Sequence, residues 1–177
     1  GATHWRVYGK RRLQDASELA SGAPVTDASH RSQAGFRADR VQGRDQWTLQ
    51  GDLYEAHIEQ LPAPRRIAGG NLLARWSREH GGGSRSQLQA FFDRSDREQP
   101  GAVDDQLDTW DLEVQHGQRL AGQHELLWGA GYRQHEDNLV NLAPAALAFV
   151  PADRRLRLWN LFAQGDAALS PHLRLTL

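Results

Sequence analysis

Arg65 and Arg66 stand side by side just after Leu61-Pro62-Ala63-Pro64, and Asp104 and Asp105 stand side by side in a polar stretch that also holds Asp108. Guanidinium groups on a proline-flanked loop suit an anionic, carboxylate- or catecholate-bearing chelate, because each can make paired hydrogen bonds to one oxyanion group. The same arginines could equally serve as general loop charge. The aspartates could hold a cation, and they read equally as part of a solvated loop. These four residues, expected on loops, form the candidate ligand-binding set.

The other groups able to do chemistry are less well placed. Eight histidines occur, at His4, His30, His57, His80, His116, His124, His135 and His172, without the close spacing to carboxylates that a metal centre uses. The densest cluster, His135-Glu136-Asp137, reads as the start of a polar loop. His80-Gly81-Gly82-Gly83-Ser84 has an oxyanion-hole type of glycine run but no nucleophile elbow beside it, so it reads as a turn. Asp111 and Glu113 share one face of an extended segment and read as polar neighbours. No phosphate loop or dinucleotide fingerprint occurs, so no catalytic residue, metal site or cofactor is expected.

Net charge is −1, which gives no argument for a nucleic-acid or anionic-surface partner. Hydrophobic residues make up 39% of the chain and mean hydropathy is −0.68, low for a domain that must bury a full core, yet there are six tryptophans. Cysteine is absent, which removes disulfides and thiolate metal sites. No run approaches the roughly 20 apolar residues of a membrane helix. Methionine is absent too and the chain opens at Gly1, so an internal piece of a longer protein is expected and the lack of a signal sequence says nothing about compartment.

Strands must carry these residues. In Arg31 to Tyr54, Ser32, Ala34, Phe36 and Ala38 alternate with Gln33, Arg37 and Asp39. After the turn at Val41-Gln42-Gly43-Arg44-Asp45, Trp47, Leu49, Gly51 and Leu53 alternate with Gln46, Thr48, Gln50 and Asp52. Alternation of this kind predicts an antiparallel hairpin with one apolar and one polar side. A strand over His4 to Arg12 precedes it, across a long loop from Leu13 to His30. Further strands are predicted at Gly70 to Arg78, around Leu88 to Phe92, around Trp110 to Val114 and around Leu126 to Tyr132. The last two run from about Arg155 to Asp166, with its faces unassigned, and from Leu173. Tight turns fall at 80–84, 117–123 and 170–171, and long connections at 61–66, 95–108 and 135–153, where LAPAALAF could form a helical turn.

Connections are thus expected to alternate long and short, and strands to run about nine to twelve residues. At roughly 3.3 Å per residue and a tilt of about 40°, ten residues climb roughly 25 Å, the apolar height of an outer-membrane barrel. Tight turns at one rim and long loops at the other fit up-and-down connectivity rather than the crossovers of a sandwich. Arg6, Lys10, Arg37, Asp39, Gln50, Asp52, Arg75, Gln87, Gln89, Asp93, Asp111, Glu113 and Gln115 would then face the interior, with Glu55 and His57 near the long-loop rim and His116 near the other. The fold class expected is all-β, an antiparallel meander forming part of a transmembrane barrel, with about eight complete strands and a partial ninth.

WRVYGKRR, RSQAGFRADRVQGRDQWTLQGDLY, RRIAGGNLLARWSRE, SQLQAFFDRSDREQPGAVDDQLDTWDLEVQH, HELLWGAGYRQHEDN and ADRRLRLWNLFAQGDAALSPHLRLTL, from Trp5 to Leu177, resemble successive barrel strands of TonB-dependent outer-membrane receptors of the siderophore or iron-complex type. The resemblance lies in the ordered series, not in any one motif. It implies a 22-stranded barrel in the bacterial outer membrane, plugged by an N-terminal domain, that takes up a ferric siderophore, other metal complex or similar solute. The TonB system would drive uptake through the plug, and lipid and lipopolysaccharide would surround the wall. This chain departs from that pattern by lacking a plug, a TonB box and the terminal aromatic, since Leu177 falls in mid-strand. All 177 residues are therefore expected to be a segment of the barrel domain. The rival readings are a soluble β-sheet binding or adhesion module, and a small complete outer-membrane barrel.

Overall fold

A computed structural model describes residues 1–120, 124–170 and 173–177. Among them the chain is all-β: nine antiparallel strands form one sheet in strict sequence order, β1 to β9, with no crossover. The strands are β1 Thr3–Gln14, β2 Ser29–Gln42, β3 Asp45–Ile58, β4 Arg65–Glu79, β5 Arg85–Gln99, β6 Val103–Leu120, β7 His124–Asn141, β8 Asp153–Ser170 and β9 Leu173–Thr176. The only helical element described is a 3-10 turn, Gly81–Gly83, inside the predicted glycine turn, where Gly82 and Gly83 take positive φ. No described helix is long and apolar enough to cross a membrane. The meander is an open sheet in which β1 and β9 are not neighbours.

The strands are longer than alternation alone suggested: β6, β7 and β8 each have 18 residues. The expected regular exchange of long and short connections is accordingly corrected. Residues 95–108 are not a long loop, because β5 runs to Gln99 and β6 starts at Val103, leaving a turn at 100–102 in which Gly101 has φ 78°. The 135–153 connection shrinks to 142–152, with one helical turn in which Ala146 N–H and Leu147 N–H donate to Ala143 O at 2.9 and 3.0 Å. Polar residues at 95–99 and 135–141 pair in strands like any others. Two predicted turns lie partly outside the described residues, at 121–123 and at Pro171, as does His172.

Register fixes the faces. Trp5, Ala38, Leu49, Ala74, Ala90, Leu112, Tyr132 and Trp159 are successive cross-strand partners, an apolar row from β1 to β8. On β8 this places Trp159, Leu161 and Ala163 on the apolar face and Leu156, Leu158 and Phe162 on the other. Aromatic pairs mark both margins: Trp47–Trp76, ring centroids 6.0 Å apart, toward the tight turns, and Phe92–Trp110 and Tyr132–Trp159, each 4.3 Å apart, toward the other end. Aliphatic residues fill the middle.

This apolar belt drifts across the hydrogen-bonded rows. Ala34, Leu53 and Gly70 share a row whose continuation is Arg94, Asp108, Glu136 and Arg155. At the opposite margin the row of Asp45 and Arg78 continues through Ser86 and His116 to Trp128 and Ala163. A belt oblique to its own ladder means strands tilted with respect to the belt, the geometry of a barrel wall. No hydrophobic side chain among the described residues is buried.

Candidate functional site

The polar face carries several separate hydrogen-bonded clusters at mid-strand. Arg37 grips Asp39 with two hydrogen bonds of 2.7 and 2.9 Å and donates to Gln50 at 3.2 Å, while Thr48 donates to the same aspartate at 2.7 Å. Gln33 donates to the Tyr8 hydroxyl at 2.8 Å, and Tyr8 donates to Asp52. Arg75 holds Gln89, Arg133 holds Asp111 at 2.7 Å, and Gln115 donates to Glu113. Asp111 and Glu113 thus share a face as expected, but each has its own partner, so they are not poised as an acid–base pair.

The four candidate ligand residues do not converge. Arg65 and Arg66 lie at the start of β4, not in the proline loop, and Asp104 and Asp105 lie inside β6. Neighbours on a strand point to opposite faces. Arg66 and Asp104 therefore fall on the apolar-face side, above the belt, and Arg65 and Asp105 on the polar-face side. Arg66 is engaged between Glu55 and Glu98, donating to each at 2.8 Å. Arg65 donates to Gln60 at 3.0 Å, and its Nε is buried without a partner.

Histidines gather at the two margins rather than round a metal. His30 and His57 stack at 4.7 Å near the long connections. At the tight-turn end the Ser86 hydroxyl bridges His80 Nε2 at 2.8 Å and His116 Nδ1 at 2.9 Å. His135 pairs with Thr109 at 2.9 Å on the polar face, whereas Glu136 on the opposite face holds Arg155 at 2.7 Å, so the His135-Glu136-Asp137 triplet is split. No group of three or more metal-type ligands occurs among the described residues. A trough of about 890 Å³ lies on the apolar face where Gly51 and Gly70 leave space among Phe36, Leu53, Leu72 and Phe92.

Comparison with protein-family models, with curated proteins and with solved structures found no match. Function therefore has to be argued from the faces themselves. Alternation had already located the polar face, but not the ends of β1 and β2. There Lys10, Arg12 and Arg31 form a cationic corner that only the pairing of Arg12 with Arg31 brings together.

One titration is readable at the long-connection end, beyond the belt. Burial, and then the Asp137 carboxylate beside it, push the Asp105 carboxyl above its ordinary range, with Arg97 opposing. Between the ordinary and the raised value the folded protein binds more protons than the unfolded chain, so stability is lost as pH rises through that window. Asp105→Asn is expected to raise the denaturation midpoint at neutral pH and leave it unchanged near about pH 3, where Asp105 is protonated in both states. Chemical denaturation at the two pH values checks this.

Proposed function

We propose that this sheet is a wall segment of an outer-membrane β-barrel of the TonB-dependent receptor type, its apolar face against lipid and its polar face toward a lumen filled by protein. The observation that carries the reading is that Trp47, Leu49, Leu53, Trp110, Leu112 and Leu161 all stand exposed on one face, while no hydrophobic side chain among the described residues is buried. Apolar surface on this scale must be covered by something apolar. The aromatic margins, the aliphatic middle and the oblique belt support lipid as that cover.

Leu156, Leu158 and Phe162 add a second constraint. They lie on the polar side of β8, so that strand is apolar on both faces and needs protein against the inner one. A plugged lumen meets this need. Uptake of a scarce metal chelate or similar solute, driven by TonB, rests on the sequence resemblance.

From Trp47 to Leu53 the belt runs about 20 Å along the strand, or about 15 Å at a tilt of about 40°, against an apolar band of about 25 Å. Arg40, at the tight-turn margin, has a stem long enough to snorkel across part of the difference, while Arg94 at the other margin is held by Asp108 with two hydrogen bonds of 2.6 Å.

The chain has no cysteine of its own, so a single reporter placed in it is read against the unsubstituted protein as control. In the full-length protein reconstituted in lipid vesicles, Ala38→Cys, Ala74→Cys and Ala90→Cys are expected to resist a water-soluble maleimide and to react with a lipid-dissolved one. Cysteines at the long connections should label freely. Rapid aqueous labelling of all three belt positions, or a folded monomer in plain buffer, would sink the membrane reading. Uptake of the chelate that continues after the inner membrane is de-energised would sink the TonB part alone.

A further inference from the structure

We propose that His80, Ser86 and His116, at the tight-turn end of β4, β5 and β6, bind one divalent copper or nickel ion. The Ser86 hydroxyl lies 2.8 Å from His80 Nε2 and 2.9 Å from His116 Nδ1, so two imidazole nitrogens converge on one oxygen. Two donors at right angles on an ion with bonds of about 2.0–2.1 Å stand about 2.9 Å apart, whereas tetrahedral donors stand about 3.3 Å apart. The spacing here is that of neighbouring corners in a tetragonal N,O set, the geometry of Cu(II) and Ni(II) rather than of zinc. Each ring turns about its side-chain bonds to aim its lone pair at the ion, and the hydroxyl changes from hydrogen-bond bridge to third ligand. Water fills the remaining positions, so the ion is exchangeable.

The other histidines do not converge in this way. His30 and His57 stack face to face, with ring planes 18° apart, and the carboxylate 3.9 Å from His57, that of Glu55, is already held by Arg66. His135 meets the single hydroxyl of Thr109. Among the described residues only Ser86 is met by two imidazoles. Backbone holds the three together. Ser86 and His116 are direct cross-strand partners, whose Cβ atoms stand about 4.5–5.5 Å apart. His80 is carried back over Ser86 by the glycine turn, closed by its own N–H donating to Ser84 O at 2.8 Å, with Gly82 and Gly83 at positive φ.

The surroundings admit a cation. Arg78, the partner of Ser86 on β4, faces the site, but its Nε lies 3.9 Å from Asp45 Oδ1, which offsets part of its charge. On the other side Trp128, the partner of His116 on β7, sets its ring 5.7 Å from the imidazole and walls the site with an uncharged surface. Register and turn geometry alone support the site, whatever covers the apolar face.

The test uses the full-length protein in detergent, stripped with a chelator and titrated by calorimetry with the chlorides of copper(II), nickel(II) and zinc. Saturable binding of copper or nickel is expected, weakened about tenfold or more in His80→Gln and in His116→Asn, with one equivalent lost in the double variant. Those amides place a nitrogen near where Nε2 or Nδ1 stood and can keep a hydrogen bond to Ser86, yet they are poor ligands, so a pair that only fastens the turn would show no such loss. The paramagnetic resonance difference between copper-loaded wild type and double variant should carry the signature of two imidazole nitrogens. Ser86→Ala keeps both imidazoles and should bind with less than a tenfold loss, which tests the site even if the amide variants do not fold. His30→Gln with His57→Gln should bind as wild type does. No saturable copper or nickel site at micromolar concentration, an unchanged titration in the double variant, a resonance signal without two imidazole nitrogens, or zinc bound more tightly than nickel would overturn the proposal.

Discussion

With the apolar face against lipid as proposed, Leu49→Arg is expected to destabilise the protein by about 2–4 kcal/mol, the cost of an arginine on a lipid face near the bilayer midplane. This corresponds to about a 30- to 900-fold loss in the folding equilibrium. Leu49 stands in the central apolar row between Ala38 and Ala74, with apolar residues above and below it on the same face, so a guanidinium there has no short route to a headgroup. Gln87→Arg supplies the control: it lies on the opposite face and should change stability by about 0.5 kcal/mol or less. Urea unfolding of both variants in lipid vesicles measures the difference. If water bathed the apolar face, Leu49→Arg would be as mild as Gln87→Arg. If another protein layer covered it, the loss would persist in detergent-free buffer, where a barrel wall cannot be studied at all.

The belt that makes this test possible was legible in the sequence, because a strand writes its two faces as a period of two. Trp47, Leu49, Gly51 and Leu53 needed only the alternation rule, and their partners on β4 to β7 followed it. Strand ends were not legible. Ser95 to Gln99 and His135 to Asn138 are polar on both sides, so composition reads them as loop, yet each continues a ladder whose hydrogen bonds do not depend on side-chain polarity. The same confusion produced the candidate site: Arg65-Arg66 and Asp104-Asp105 looked like loop pairs able to act together, and as strand neighbours they cannot. The cationic corner has the reverse history. Arg12 and Arg31 are separated by the whole β1–β2 connection, and only the register makes them opposite partners.

Register also explains the glycines, which in a sequence read as weak points of a strand. Gly35 pairs with Tyr8, Gly51 with Phe36, Gly69 with Tyr54 and Gly129 with Phe162, so each faces an aromatic ring directly across the ladder. A ring lying flat over a glycine covers backbone that would otherwise be bare, and the missing Cβ is what lets it lie there. Gly129 is a tightly constrained instance: a Cβ there would sit 2.5 Å from Phe162 Cζ and 2.6 Å from the Val114 carbonyl oxygen. A ring can swing aside, but the carbonyl belongs to the β6 backbone and moves only if the ladder does.

Gly129→Ala is therefore expected to cost about 1–3 kcal/mol, the range of an overpacked interior. Gly165→Ala, where a Cβ meets nothing within 4 Å, should be neutral or slightly stabilising. Thermal unfolding in detergent, followed by circular dichroism, compares them. The double variant Gly129→Ala with Phe162→Ala separates the two obstacles: if the ring alone resists the methyl group, removing it restores stability. If the carbonyl resists, as the geometry indicates, the double variant stays at least as unstable as the single one, and the spacing of β6 and β7 is shown to be set by backbone contact.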